Sequence, residues 1–201
     1  ARDVTRAETL AERLCQNGHA ATALRLDLAD ERSIGEVADH LAATFGRLDA
    51  LINNASTMPD FATLSALDAD LDEVRSAMEV DVIGPWALVQ ALRPLLTAAP
   101  AARIANVSSN SALQLATELD LGASLRAPAP SMAKHMLNAL TVALARAFAD
   151  TPILVNAVDP GDTATHPARA DETDRPPADS ARGIVWAATL GADGPSGGLF
   201  R

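Results

Sequence analysis

Hydrophobic residues follow two alternating spacings along this chain. Short apolar runs predict buried β-strands, and these runs cover residues 24–28, 48–53, 103–107, 153–158 and 199–200. Between them, apolar residues recur every third or fourth position, which predicts amphipathic helices over residues 5–16, 30–45, 70–97, 131–149 and 179–190. Alternation of strand and helix is typical of a parallel sheet covered on both faces. The pattern therefore predicts one α/β domain over residues 1–201, built as a three-layer, doubly wound parallel sheet.

Capping residues support several of these helices. Thr5 and Glu8 have the spacing of a capping box, and Asp179 can cap the last helix. Gly84-Pro85 lies inside the long helix over residues 70–97, where proline removes a backbone hydrogen bond. We therefore expect a kink at this dipeptide.

Polar residues and turn residues follow the predicted strands at the point where each strand ends. Asp27, Asn53 and Ser109 occupy such positions, and Pro160-Gly161 follows the strand over residues 153–158. In open α/β sheets, ligands bind beyond the carboxyl ends of the strands. The sequence therefore predicts a binding site at this edge of the sheet.

Composition and charge exclude several classes of function. The chain has 201 residues, is 48% hydrophobic and carries a formal net charge of −10, and it lacks a basic cluster, so we expect neither nucleic acid nor anionic membrane as a partner. No apolar run approaches the roughly 20 residues of a membrane span. Cys15 is the only cysteine, which predicts no disulfide framework and favours the reducing cytoplasm. The four histidines lack ligand spacing, so no metal site is expected.

The stretch over residues 103–138 carries the candidate chemistry. A short apolar run ends in Ser108 and Ser109, and an amphipathic helix further along carries Lys134 in its first turns. A serine at a strand end and a lysine on a helix handle protons together only when a titratable group joins them. The chain contains no tyrosine, so no tyrosine can fill that role.

Six short motifs occur in order along nearly the whole chain. They are Asp27-Leu28, Asn53-Asn54-Ala55-Ser56, Asp81-Val82-Ile83-Gly84, Asn106-Val107-Ser108-Ser109, Lys134, and the run from Asn156 through Pro160-Gly161 to Thr165. With these motifs the chain resembles the short-chain dehydrogenase/reductases, and among them the carbonyl-reductase-like members. Each motif is weak alone, whereas six in the right order are a strong signal. The resemblance implies a Rossmann-like fold.

The resemblance also implies a role for each motif residue. Asp27 and Leu28 would contact adenine, Asn53 and Ala55 would line the cofactor, and Pro160, Gly161, Thr163 and Thr165 would face the nicotinamide and pyrophosphate. Catalytic roles would fall to Ser109, which would bond the substrate carbonyl, and to Lys134, which would hold the nicotinamide ribose. Arg2 matches a basic residue that pairs with the 2′-phosphate, because a guanidinium suits phosphate, and it favours NADP(H) over NAD(H) as the cofactor.

Three departures from the family pattern change what we expect. Pro130 stands at the position of the catalytic tyrosine, four residues before Lys134, and proline cannot donate a proton. Asp81 replaces the asparagine of the family motif, and its carboxylate should favour the charged form of Lys134 if the two lie close. The family's first strand and glycine-rich turn have no counterpart in these 201 residues. We therefore expect slow turnover and a longer parent protein.

Several alternatives stay open. Ser109 and Asp27 can be ordinary strand-end residues, and Arg2 an ordinary surface arginine. Ser131 and His135, four residues apart, can pair as nucleophile and base. The whole chain can be a non-catalytic binding module or a nonfunctional fragment.

The expected partners are small. The resemblance implies a small carbonyl or alcohol substrate, and the predicted loops over residues 58–67, 113–130 and 162–177 carry no signal of its identity. The apolar faces of the two long helices, including Trp86 and Met136, predict either core or an interface in a homo-oligomer.

Overall fold

The computed structural model describes residues 1–59, 62–115, 126–164 and 174–201. Within these residues the chain forms a parallel sheet of four strands in the order β1-β2-β3-β4. The strands are β1 Ala50–Asn53, β2 Arg103–Val107, β3 Leu154–Val158 and β4 Leu199–Phe200. Each strand pairs in parallel with the next one along the chain, and a parallel sheet is what the alternation of strands and helices predicted.

Helices cover both faces of this sheet. Their bounds are α1 Val4–Gln16, α2 Glu31–Phe45, α3 Leu71–Met78, α4 Gly84–Ala98, α5 Pro128–Ala147 and α6 Pro177–Ala188. Ile104 of β2 and Val155 of β3 belong to the core that contains α4 and α5. Ala105 and Val158 point to the opposite face and pack against α6. This alternation along the strands produces three layers, which confirms the predicted α/β class.

The predicted strand over residues 24–28 does not form. Its backbone makes two hydrogen bonds with Ala1, from the Ala1 amino group to the Leu24 carbonyl at 2.9 Å and from the Leu26 amide to the Ala1 carbonyl at 3.1 Å. A β-strand requires a ladder of such bonds with a neighbour. One residue alongside does not supply a ladder, so the segment has no strand partner and no β-structure.

The long helix predicted over residues 70–97 consists of three pieces. A π-helical turn over Glu79–Ile83 separates α3 from α4. Pro85 lies in the first turn of α4. Because Ile83 and Gly84 before it also have helical backbone angles, the proline removes one backbone hydrogen bond from a continuous helical segment. The irregularity therefore precedes Gly84-Pro85, and the wide turn carries the buried Asp81 and Val82.

Gly84 permits a close approach between α4 and the segment before α2. A Cβ atom at position 84 would lie 2.5 Å from Cβ of Leu28 and 2.6 Å from its carbonyl oxygen. No side chain can be accommodated at these distances, so the glycine of this motif serves packing.

Three helices begin at residues other than those predicted. Asp3, and not Thr5, caps α1, because its carboxylate accepts a hydrogen bond from the Arg6 amide at 3.1 Å. Helix α5 begins at Pro128, and α6 begins at Pro177, so that Asp179 lies in the first turn of α6 and does not cap it. Proline is favoured at the first helical position because its φ is already helical. None of the described helices is long and apolar enough to cross a membrane.

Candidate functional site

An open cavity of about 770 Å³ lies at the carboxyl ends of β1, β2 and β3. The cavity brings together residues from five separate parts of the sequence, including Asn54, Ser109, Pro130, Lys134, Gly161 and Ser180. The parallel topology explains this convergence, because the carboxyl ends of all strands meet at one edge of the sheet. The position of the cavity agrees with the site predicted from the strand ends.

The two serines after β2 have different surroundings. The Ser108 hydroxyl is buried and donates to Oδ1 of Asn138 on α5 at 2.7 Å, so it ties the strand end to the helix. The Ser109 hydroxyl donates to Oδ1 of Asn110 at 3.3 Å and accepts from the Ser111 amide at 3.1 Å. Ser109 is half-buried, and its contacts lie within its own turn. Of the two, Ser109 is therefore the one placed to meet a ligand.

Lys134 reaches the cavity from α5. Its side chain is nearly buried, and Nζ donates a hydrogen bond of 2.8 Å to the carbonyl of Val107, the last residue of β2. Burial lowers the pKa of Lys134 below its ordinary value of 10.5, and the nearby charge of Asp81 opposes that shift. Lys134 is also the only lysine of the chain, whose other basic residues are all arginine.

Asp81 lies behind the lysine in the π-helical turn and is fully buried. Its carboxylate accepts hydrogen bonds of 3.2 Å from the Ser56 hydroxyl and from the Thr57 amide. Burial raises the pKa of Asp81, while the charge of Lys134 and these two hydrogen bonds lower it. Asp81 does favour the charged lysine, as the sequence predicted. However, burial outweighs that attraction, because desolvation penalises both charged groups.

Asn53 belongs to a buried chain of side-chain hydrogen bonds. Its amide Nδ2 donates to Oδ1 of Asn106 at 2.8 Å, and Nδ2 of Asn106 donates to Oγ1 of Thr141 on α5 at 2.8 Å. This chain joins β1, β2 and α5. Asn53 is thus positioned to steady the central strands, and it is the neighbouring Asn54 that lines the cavity.

The turn after β1 contains two residues, Ser56 and Thr57, for which the sequence predicted no role. Ser56 lines the cavity and donates a hydrogen bond to the Asp81 carboxylate. Ala55, between Asn54 and Ser56 in sequence, is exposed and does not line the cavity. The hydroxyl Oγ1 of Thr57 is buried without a hydrogen-bond partner among the described residues. Ser56 could have been found from its place in the motif, but its partner, 25 residues away, could not.

The turn after β3 is held by its own polar groups. The Gly161 amide donates to Oδ1 of Asp159 at 2.9 Å, and Gly161 adopts φ 70°, a left-handed conformation that favours glycine. The Thr163 hydroxyl donates to the Gly161 carbonyl at 2.9 Å and lies 2.7 Å from the Ser180 hydroxyl on α6. Pro160, Gly161, Thr163 and Ser180 line the cavity. Thr165 lies outside the described residues.

The residues predicted for the adenosine half of a cofactor lie elsewhere. Asp27 accepts a hydrogen bond from the Ala29 amide at 3.2 Å within its own turn. Leu28 is buried beneath α4, and Arg2 is exposed. The described lining of the cavity includes none of Arg2, Asp27 and Leu28.

Position 130 and its neighbours bear on two predictions from the sequence: that Pro130 stands at the tyrosine position, and that Ser131 and His135 can pair. Pro130 lines the cavity where the family tyrosine would stand. The Ser131 hydroxyl is fully buried and donates to the Arg126 carbonyl at 2.9 Å, while Nδ1 of His135 lies 3.3 Å from the Ala112 carbonyl. Because the two side chains engage different backbone carbonyls, the proposed Ser131–His135 nucleophile and base pair is not formed.

The donor set of the cavity fits part of a nicotinamide dinucleotide. A lysine ammonium, serine and threonine hydroxyls and an asparagine amide suit ribose hydroxyls and a carboxamide. Among the residues that the structure describes, no glycine-rich turn holds a pyrophosphate site at a helix N-terminus. The described residues contain no group of three or more histidine, cysteine or acidic side chains that could hold a metal ion.

Trp86 on α4 and Met136 on α5 are 45% and 44% exposed. These fractions exclude the core as the location of either side chain. The hypothesis of an interface through the two long helices stays a prediction.

The sequence of this chain is similar to that of known oxidoreductases. A family model described as enoyl-(acyl carrier protein) reductase matches residues 2–185. The chain is 30% identical over 154 residues to oxidoreductase UcpA of Escherichia coli (strain K12), a match that covers 77% of this chain and 55% of UcpA. It therefore spans about half the length of that relative.

Solved structures agree at the level of the fold. The structure of the E. coli oxidoreductase yciK matches with a TM-score of 0.85 at 22% identity, covering 99% of this chain and 81% of that one. The NADP complex of RhlG from Pseudomonas aeruginosa matches with a TM-score of 0.80 at 27% identity, covering 100% of this chain and 82% of RhlG. The family match over most of the chain, together with the parallel sheet and its ordered motifs, shows that this chain belongs to the short-chain dehydrogenase/reductase family.

Proposed function

We propose that this protein is an NADP(H)-dependent oxidoreductase that interconverts a small carbonyl compound and the corresponding alcohol. The observation that carries the proposal is that Ser109, Lys134 and the turn at Pro160-Gly161 line one cavity at the carboxyl edge of the sheet. Each of these residues stands at the family position for substrate, ribose or nicotinamide contact. A single cavity that holds all three contacts is what hydride transfer requires.

The cofactor preference rests on two supports. Arg2 is exposed at a family position for the 2′-phosphate of NADP(H), and a guanidinium fork binds phosphate well. RhlG, a relative in fold at 27% identity, was solved as an NADP complex. The bound nicotinamide would supply or accept the hydride, and Lys134 and Asn54 would orient it.

Ser109 would act on the substrate. Its hydroxyl can donate a hydrogen bond to the carbonyl oxygen and so stabilise the negative charge that develops there. The absent tyrosine removes the family's general acid, and general acid catalysis contributes typically 10²–10⁴-fold. We therefore expect turnover that is slow but measurable.

Replacement of Pro130 by tyrosine tests this proposal. Pro130→Tyr restores a phenol one helical turn before Lys134, so we expect the kcat for reduction of simple aldehydes or ketones to rise by about 10²-fold or more. The measurement is NADPH consumption at saturating cofactor, with Ser109→Ala in the same background as the control that should lose the gain. A folded Pro130→Tyr variant that binds NADPH but shows no gain would count against the proposal.

A second candidate function is a non-catalytic binding or partner module. Two departures at the site favour it, because Pro130 lacks a proton to donate and Asp81 adds a buried charge. Carbonyl reduction by the parent chain that Ser109→Ala abolishes would exclude this alternative.

A further inference from the structure

Two positions on α5 face the same cavity. Pro130 and Lys134 both line it, since residues four apart lie on one face of a helix. The proline leaves no hydroxyl between the helix and a bound substrate. The lysine is then the next proton-bearing group along that face.

The ammonium of Lys134 has donors to spare. An ammonium carries three N–H groups, and the hydrogen bond of 2.8 Å to the Val107 carbonyl engages one of them. That bond fixes Nζ at the carbonyl of Val107, two residues before Ser109, which lines the same cavity and would hold the substrate oxygen. A substrate carbonyl bonded to Ser109 would therefore lie beside a fixed proton donor.

The buried carboxylate of Asp81 supplies the charge that keeps this donor protonated. Ser56 and Thr57 each hold one oxygen of the Asp81 carboxylate, which fixes its position, and from there its charge attracts that of Lys134. Ser56 also lines the cavity and thus links the carboxylate to solvent. The family's neutral asparagine at this position would not provide such a countercharge.

We propose that Lys134 is the proton donor for carbonyl reduction in this chain, and that Asp81 is the positioning residue that holds its charge. The inference rests on the proposed function. The carbonyl carbon gains a hydride, which the reduced nicotinamide supplies, and the carbonyl oxygen takes a proton from Nζ. One O–H bond forms as one N–H bond breaks, and the neutral amine regains its proton from water. Alcohol oxidation runs the same proton transfer in reverse.

The choice of lysine at this one position agrees with this role. Every other basic residue among the chain's 16 is an arginine, and arginine stays protonated under all ordinary conditions whereas lysine titrates when it is buried. Burial lowers the pKa of Lys134, which makes its ammonium a stronger acid than that of an exposed lysine.

Other charged groups also surround the cavity. Arg126, Asp162 and Asp174 line it, and His135 follows Lys134 on α5 with its ring against a backbone carbonyl. These groups are the same in the parent and in variants of Lys134 or Asp81. Differences between such variants therefore report on the pair itself.

The first experiment measures the lysine directly. With lysine labelled with ¹³C at Cε, the full chain gives a single lysine signal, because Lys134 is the only lysine. We expect its titration midpoint to lie below the ordinary 10.5 and to fall further in Asp81→Asn, since the countercharge is removed. A midpoint at the ordinary value, or one that Asp81→Asn leaves unchanged, would overturn the role of Asp81.

The second experiment separates proton donation from cofactor binding. Lys134→Arg keeps a cation for the ribose but does not release its proton, so we expect kcat at saturating NADPH to fall about 10²-fold or more. NADPH affinity, followed by cofactor fluorescence, should change only several-fold. An unchanged kcat, or a loss confined to the KM for NADPH, would show a binding role only and overturn the inference.

The pH profile of reduction gives a further readout. Reduction needs the ammonium, so kcat should fall as the pH rises through the pKa of Lys134, and this fall should occur at lower pH in Asp81→Asn. A parent that neither binds NADPH nor reduces a carbonyl overturns the proposed function and this inference with it. A parent that does both, and whose kcat survives Lys134→Arg, overturns this inference alone.

Discussion

Buried polar side chains at the carboxyl end of β2 do two jobs at the scale of single residues. Lys134 and Asp81 place charges beside the cavity, where burial works against both of them. Asn53 and Asn106 are neutral and bond each other, so they hold the strands that carry the site. Burial of the charged pair costs free energy, which indicates a chemical role. The two asparagines are hydrogen-bonded to each other, which indicates a structural role.

The asparagine chain can be tested by removing its middle member. Asn106→Leu leaves the buried Nδ2 of Asn53 without its partner, and an unsatisfied buried polar group costs about 1–3 kcal/mol. The Thr141 hydroxyl loses the bond from Asn106 but keeps its own bond to the Leu137 carbonyl. We expect the free energy of unfolding, measured with urea, to fall by at least that amount. Gln90→Ala on the exposed side of α4 is the control and should stay within about 0.5 kcal/mol of the parent. Equal stability of both variants would contradict a structural role for Asn106.

At the scale of elements, the π-helical turn between α3 and α4 sets the site. It carries Asp81 inward, toward the lysine on α5, and it ends at Gly84, where α4 passes against Leu28. A regular helix would shift the register of the residues that follow, because a π turn holds one residue more than an α turn. The motif around Asp81 and Gly84 therefore has two roles: Gly84 allows close packing against Leu28, and Asp81 places a carboxylate near Lys134.

Gly84→Ala tests the packing part of this motif. The added Cβ would lie 2.5 Å from Cβ of Leu28, so α4 or the segment before α2 must move, and overpacking of this kind costs about 1–3 kcal/mol. Gly35→Ala inside α2 is the matched control, because an added Cβ there meets nothing within 4 Å. We expect the control to be stabilised by about 0.4–1 kcal/mol in the same thermal or urea unfolding measurement. A Gly84→Ala variant as stable as this control would contradict the close approach.

At the scale of the whole molecule, the parallel topology gathers distant segments at one edge of the sheet. Ser56, Ser109, Lys134 and Gly161 lie far apart in sequence and line one cavity of about 770 Å³. The adenosine residues of the family pattern, Arg2 among them, do not line that cavity. Binding of a complete dinucleotide is therefore a property of the whole chain and not of the cavity alone.

Titration of the 201-residue chain with NADPH tests that property. We expect saturable binding in the micromolar range, followed by cofactor fluorescence. Cofactor at 100 times its Kd should stabilise the fold by about 2.7 kcal/mol and raise the thermal midpoint, since only the folded state binds. Arg2→Ala should weaken NADPH more than NADH if Arg2 contacts the 2′-phosphate. Absence of binding and of any thermal shift would contradict the proposed cofactor.

Local sequence was enough to determine the fold class and most of the elements. Apolar runs located β2 and β3, and helical periodicity located α2 and α5, because the spacing of apolar residues along the chain matches the repeat of each secondary structure. The ordered motifs were enough to identify the family. The strand predicted over residues 24–28 was wrong because pairing depends on a neighbour that spacing does not reveal.

Only the tertiary structure decided what the site residues contact. It shows hydrogen bonds from Ser56 and Thr57 to Asp81, and one from Lys134 to the Val107 carbonyl. It also shows that Ser131 donates to a backbone carbonyl and does not pair with His135. These partners lie on different elements, so their distances follow from packing and from the topology of the sheet. The tertiary structure also decided the directions of the pKa shifts of Asp81 and Lys134. Burial outweighs the attraction between the two charges, and neither residue type nor spacing reveals how deeply a side chain is buried.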